Sequence, residues 1–176
     1  MKNNSMYSAN MARFYGRNDP ATIESYYDEL DDLYGIDYTI EDAKANINIR
    51  LKQSQFRKSV LENFNNQCCI SGIYEESVLV ASHIVPWSAY KKYRSDPGNG
   101  LCLFIEYDAY FDKGYITIDN NLYILITNKL NTLSDELQNR LKQLEGKKLT
   151  QPLKYKIKHE YIKYHHDNIW NHFDAK

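Results

Sequence analysis

Long apolar runs are missing from this 176-residue sequence, and no stretch approaches the roughly eighteen apolar residues that a membrane-spanning helix requires. The opening Met1-Lys2-Asn3-Asn4-Ser5-Met6 contains no apolar segment of signal-peptide length, so a cytoplasmic protein with no membrane partner is expected. Cysteine is scarce. Cys68, Cys69 and Cys102 are an odd number with two adjacent, which suits neither a disulfide framework nor a C-x-x-C zinc staple. Buried thiols and no structural zinc are the expectation. Internal repeats and low-complexity tracts are absent as well. Net charge is almost absent at -1, but that sum conceals an asymmetry.

From Pro20 to Asp42 there are eight acidic side chains and no Lys or Arg, whereas Lys147 to Lys163 carries six lysines against Glu160 alone. Charge acts locally on partners, so a near-neutral protein can still present a basic face to nucleic acid. An ordinary solvated surface explains the same charges equally well.

The length suits one domain with a real core. Asp19 and Pro20 signal a helix start, and Ile23, Tyr27, Leu30 and Tyr34 recur at helical spacing until Gly35. Thr39-Ile40-Glu41-Asp42 resembles a capping box and opens a second helical region, expected to break near Asn46 to Asn48 and to resume through Phe56, Val60, Leu61 and Phe64. The period then changes. Val78 to Ile84 is a β-branched run of strand length that Pro86 ends. Ser95 to Gly100 is dense in turn formers, Leu101 to Leu103 can pair back as a strand, and Glu106 to Lys113 reads as a helix closed by Gly114. Residues 115–119 and 122–126 form an expected β-hairpin with a two-residue Asn120-Asn121 turn. Two further helices are predicted, from Ser134 to Leu144 and roughly from Tyr155 to Trp170. The organisation expected is an acidic helical cap over 1–49, a core over 50–128 and a basic helical region over 129–176, together one compact domain.

Within the core, one strand delivers His83 to its end, a turn carries Asn99, and a short helix carries Asp108 and Asp112 four apart. Hydrolysis of a phosphodiester needs a base for the attacking water and positive charge near the oxygens that gain negative charge. A neutral imidazole can be the base, and carboxylates at i and i+4 share a helix face where both could reach one hard cation. Taken singly, each feature has a blander reading. A histidine in an apolar strand is more often a hydrogen-bonded core residue, a pair of Asp four apart is more often a solvated face, and Asn-Gly is usually only a turn. Their order and proximity make the combination more specific.

Ala81-Ser82-His83-Ile84-Val85-Pro86-Trp87 and Asn99-Gly100-Leu101, followed by Asp108-Ala109-Tyr110-Phe111-Asp112-Lys113-Gly114, resemble the HNH endonucleases. The similarity is to the branch with A-S-H-I-x-P-W and N-G-L-x-L…D-A-x-F-D-x-G segments. Gln55-Phe56-Arg57 and Cys68 to Gly72 extend it upstream, so that it covers about residues 50 to 120, and residues 161–173 extend it weakly. The resemblance implies an α+β fold: a ββα-metal core with an added β-hairpin, flanked by N-terminal and C-terminal helices.

It further implies His83 as general base, Asn99 as a structural asparagine and Asp108 as metal ligand, with Asp112 where some relatives place a second ligand. Ser82 stands where many relatives have Asp or His as a ligand, and would act through water if at all. Asp108 in place of a final histidine favours Mg²⁺ or Mn²⁺ over Zn²⁺. Arg94 is a candidate phosphate clamp, equally readable as a surface residue, and Lys154, Lys156, Lys158 and Lys163 are candidate phosphate contacts. His159, His165, His166 and His172 fit no closed metal site and are expected at the surface or an interface. The function this implies is metal-dependent cleavage of double-stranded DNA in restriction or defence, with a homodimer making both cuts of a double-strand break. A non-cleaving nucleic-acid-binding module and a protein-interaction domain are the alternatives.

Overall fold

The computed structural model describes residues 40–170, with side chains from residue 47 onward. The helix expected from Pro20, the acidic segment over 20–42 and His172 lie outside this description, apart from the backbone of residues 40–42. The chain divides into two compact units, Met1–Leu51 and Lys52–Lys176, and the packing described below is that of the second.

Helix α1 runs unbroken over Ile40–Asn63. The break expected at Asn46 to Asn48 is absent, because Asn costs only a fraction of a kcal/mol per position in a helix and the residues on either side carry the helix through. Phe56, Val60 and Leu61 on α1, and Phe64 in the turn directly after it, are buried together. The helix stops at Asn65, whose φ of 54° is left-handed. Asn65 N donates to the Glu62 carbonyl and Asn66 N to the Leu61 carbonyl, which satisfies two carbonyls that a helix end leaves open.

Strands β1 (Leu79–His83) and β2 (Gly100–Phe104) pair antiparallel, with Leu79 opposite Phe104 and His83 opposite Gly100. Arg57 fixes this sheet to α1, its Nη1 donating to the Leu79 carbonyl at 2.9 Å and its Nη2 to the Glu76 carbonyl at 3.1 Å. Helix α2 (Ile105–Asp112) follows β2 with no intervening loop, which completes a ββα unit. Gly114 closes α2 at φ 72°, and a side chain there would meet the Ile169 carbonyl at 2.7 Å.

Strands β3 (Ile116–Ile118) and β4 (Ile124–Ile126) form the added hairpin. Its connection is longer than the predicted two-residue turn. Asp119 pairs with Tyr123 through the Asp119 N–H, leaving Asn120, Asn121 and Leu122 as a three-residue loop with Leu122 at φ 65°. Three-residue hairpins place a left-handed residue there, and the Asp119 carboxylate steadies the loop by accepting from Asn121 N and Tyr123 N.

Helix α3 (Asp135–Lys142) buries Leu141. Helix α4 (His159–His165) starts four residues later than predicted and continues as a π-turn over His166–Trp170. The lysines from Lys154 to Lys158 therefore lie on a non-helical segment, bent at residues 153–155, ahead of the helix. His165 is not at the surface. It is 1% exposed, stacked on Phe111, and bridges the Thr117 hydroxyl at Nδ1 and the Phe111 carbonyl at Nε2. A carbonyl only accepts, so Nε2 carries the proton, and burial pushes the ring down to about 4. His166 is half-buried with Nε2 on the Ile118 carbonyl, leaving His159 exposed.

Among the described residues the fold is thus α+β, four helices with two two-stranded sheets. No described helix is long and apolar enough to cross a membrane. The three cysteines are free and buried, with the Cys69 N–H bonded to the Cys102 carbonyl. Burial, reinforced by neighbouring thiols, raises Cys69 strongly and Cys102 to about 12.

Candidate active site

Strand β1 ends at His83, opposite a residue that has no side chain. A Cβ on Gly100 would stand 2.3 Å from Val60 Cγ2 and 2.9 Å from Phe56 Cζ, so only glycine lets α1 lie against the strand here. That close approach brings Phe56 flat against the His83 imidazole, with ring centroids 3.8 Å apart and planes 9° from parallel, while Trp87 meets the ring edge-on. The ring is held on two sides. Its Nε2 lies 3.0 Å from the Arg94 carbonyl and, since a carbonyl only accepts, must carry the proton. Nδ1 keeps its lone pair and has no hydrogen-bond partner among the described residues. Burial lowers the His83 pKa, opposed by the Arg94 carbonyl, so the ring is neutral at pH 7.

The loop between β1 and β2 takes its shape from Asn99, which is fully buried. Its Oδ1 accepts from Val85 N at 2.8 Å, and its Nδ2 donates to the Val85 carbonyl at 3.0 Å and the Tyr93 carbonyl at 3.2 Å. One amide therefore ties both limbs of the loop, and the Arg94 carbonyl that orients His83 follows directly after Tyr93. The Arg94 side chain folds back. Its Nε donates to the Trp87 carbonyl at 2.7 Å and its guanidinium lies 4.9 Å from the centre of the Trp87 ring, leaving both Nη groups without partners among the described residues.

Asp96 braces the same loop from outside. Its Oδ1 accepts from Gly98 N, and its Oδ2 accepts from both Lys158 Nζ and the Tyr161 hydroxyl at 2.6 Å. Burial would raise the Asp96 pKa, but the bonds from Lys158, Tyr161 and Gly98 outweigh it and hold the carboxyl below its ordinary range. Neither Asp96 nor Tyr161 is singled out by sequence. Asp96 sits within a turn signal, and nothing local marks its partner 65 residues on.

Asp108 and Asp112 lie one turn apart on α2, the helix that follows β2. Asp112 is surface exposed, yet its carboxyl is pushed up to about 6, first by partial desolvation and second by the negative charge of Asp108, with Lys113 opposing. Ser82 neighbours His83 in β1, and strand alternation turns its side chain to the opposite face of the sheet. Its Oγ is buried without a hydrogen-bond partner.

Among the described residues no three His, Cys, Asp or Glu side chains are grouped so as to enclose a metal ion. A hard divalent cation of the magnesium type needs no such cage, since it keeps several waters and takes one or two carboxylates plus substrate phosphate. Two carboxylates that repel one another on a helix face fit such an ion. Of the predicted phosphate contacts, Lys158 is paired with Asp96, Lys163 is paired with Asp167, and Lys154 lies over the Tyr155 ring, while Lys156 has no ion pair among the described residues.

Residues 68–119 match the HNH endonuclease family. The matched segment holds β1, the Asn99 loop, β2, α2 and β3, so every residue described at the His83 site lies inside it except Phe56, Val60, Lys158 and Tyr161. The HNH match supports a nuclease, a class whose substrate is nucleic acid. Among solved structures the chain is similar to a modification dependent TagI restriction endonuclease, with 20% sequence identity and a TM-score of 0.45. That alignment covers 66% of this chain and 38% of the other, so the chain spans well under half the length of that enzyme. No curated protein matches the chain.

Proposed function

We propose that this chain is a divalent-metal-dependent endonuclease that cuts double-stranded DNA, serving in restriction or defence. The observation that carries the reading is the state of His83: a ring clamped by Phe56 and Trp87, its Nε2–H donating to the Arg94 carbonyl, with Nδ1 left without a hydrogen-bond partner among the described residues. Nδ1 takes the proton of the water that attacks phosphorus, and the imidazolium so formed is stabilised through its Nε2–H by the Arg94 carbonyl. Asn99 positions that carbonyl. Asp108, with Asp112 beside it, would hold Mg²⁺ or Mn²⁺. When bound, such an ion supplies positive charge for the phosphate oxygens that become more negative. The free Nη groups of Arg94 bind a phosphate of the same strand.

Plasmid nicking with Mg²⁺, with Mn²⁺ and with neither tests the reading. His83→Ala is expected to lose roughly 10² to 10⁴ of the rate while remaining folded, the usual scale of a general base. Asp108→Ala is expected to abolish metal-dependent cutting. A His83→Ala protein that cuts like wild type would sink the assignment, and salt-sensitive DNA binding without cutting under any divalent ion would replace it with a non-cleaving module.

A further inference from the structure

A concave site that shares no lining residue with the His83 site lies between the hairpin loop and the segment leading into α4. It is an open cleft of about 570 Å³, within the size range of small-molecule sites. Lys148, Lys156 and His159 line it together with the amides of Asn120, Asn121 and Gln151, and among the described residues no carboxylate is part of its lining. The nearest hairpin acid, Asp119, already accepts from two loop N–H groups.

The lysines at this cleft differ from their neighbours. Lys158 and Lys163 are neutralised by Asp96 and Asp167. Lys156 has no ion pair among the described residues, and Lys148 rests over the Tyr123 ring at 5.1 Å, an arrangement that leaves its charge intact. Two uncompensated ammonium groups favour an anion. The three amides have no side-chain hydrogen bond among the described residues, and each offers both a donor and an acceptor. Leu122 and Ile162 add apolar wall against which a flat ring can pack. Cations, uncommitted amides and an apolar wall match a phosphate, the polar edge of a base and the face of that base.

We propose that this cleft binds a nucleoside phosphate. As a unit of a nucleic-acid strand, which rests on the nuclease reading above, it would hold the substrate at a point remote from the cut. Lys156 links the two places, because its carbonyl would stand 2.7 Å from a Cβ on Gly98, in the turn that leads to Asn99.

The test uses the full chain carrying His83→Ala, so that cutting does not intrude. Amide shifts by NMR are followed during titration with thymidine monophosphate, with inorganic phosphate and with a single-stranded thymidine oligonucleotide. Shifts centred on Asn121, Gln151 and Lys156 are expected with the nucleotide, and tighter binding with the oligonucleotide identifies a strand as the source. Equal affinity for the two identifies a free nucleotide. Lys148→Gln with Lys156→Gln, checked for folding by circular dichroism, is expected to weaken oligonucleotide binding at least tenfold. The double variant should also lower the salt slope by roughly 1.4, at about 0.7 per lost phosphate contact on a single strand. Unchanged oligonucleotide binding in the double variant overturns the cleft assignment and leaves the nuclease reading intact. Inorganic phosphate binding as well as the nucleotide also overturns it, since only an anion is then recognised. A wild-type protein that cuts no DNA yet shows nucleotide shifts at the cleft sinks the nuclease reading and keeps the cleft.

Discussion

The imidazole of His83 lies flat on the ring of Phe56, 3.8 Å between centroids, so a core residue of α1 sets the plane of the base proposed for catalysis. Phe56→Ala removes a buried aromatic and should cost about 3–5 kcal/mol of stability. It also lets water reach His83, whose pKa should rise toward the ordinary histidine value. A chemical-denaturation series and an NMR titration of the ring check the two effects separately. Phe56→Leu, which keeps the site apolar, should retain most of the stability but loosen the ring.

Gly100→Ala should be disproportionately harmful for the addition of one methyl group. Its Cβ would overlap Val60 and Phe56, and overpacking of this kind costs typically about 1–3 kcal/mol. Thermal melts give the stability loss. Nicking assays well below the melting temperature should show a further loss of rate, because the methyl group displaces the ring on which His83 rests.

Asn99→Ala strips two hydrogen bonds from the buried Val85 backbone and a third from the half-buried Tyr93 carbonyl. Each buried group left unpaired costs about 1–3 kcal/mol, so the loss should exceed that of an average core substitution. Asn99→Asp is the sharper comparison. It keeps the acceptor for Val85 N but turns an oxygen toward the Val85 and Tyr93 carbonyls, and should be no better than alanine by urea denaturation.

The pH dependence has two parts. Cutting needs neutral His83, whose pKa is depressed, so kcat/KM at saturating metal should reach its plateau at a pH below that of an ordinary histidine. A plateau reached only in alkaline solution would contradict a buried neutral base. Asp112 acts oppositely on stability. Its folded pKa of about 6 lies above the unfolded value, so its contribution is fully present below the unfolded pKa and is lost as pH rises through about 6. Without divalent ions, Asp112→Asn should therefore melt higher than wild type at pH 8 and no higher at pH 4.

Chelation supplies the last expectation. Excess EDTA should abolish nicking, with recovery on adding back Mg²⁺ or Mn²⁺. The same ions should raise the wild-type melting temperature by mass action and raise that of Asp108→Ala less.

What was legible in the sequence was what local chemistry dictates. The strand ending at His83 follows from β-branched residues and Pro86, the Asn99 turn from its Asp-Pro-Gly-Asn composition, and the end of α2 from Gly114. The misplaced features depend on distant contacts or on weak local preferences. Helix α1 passes through Asn46 to Asn48 because the penalty there is small, and Leu122 takes a left-handed conformation that a leucine does not advertise. His165 looks like a surface residue until Thr117 and Phe111, far away in sequence, close around it. The brace of Asp96 by Lys158 and Tyr161 is unreadable for the same reason: either partner alone is an unremarkable polar residue.

That brace has a consequence for synthesis on the ribosome. The loop that orients His83 is made early, but the side chains that tie down Asp96 are encoded 62 and 65 positions later. Until Lys158 and Tyr161 leave the exit tunnel, the loop stands without its latch. A nascent fragment therefore carries every residue of the proposed base and its carbonyl partner, but not the outer support that keeps them aligned.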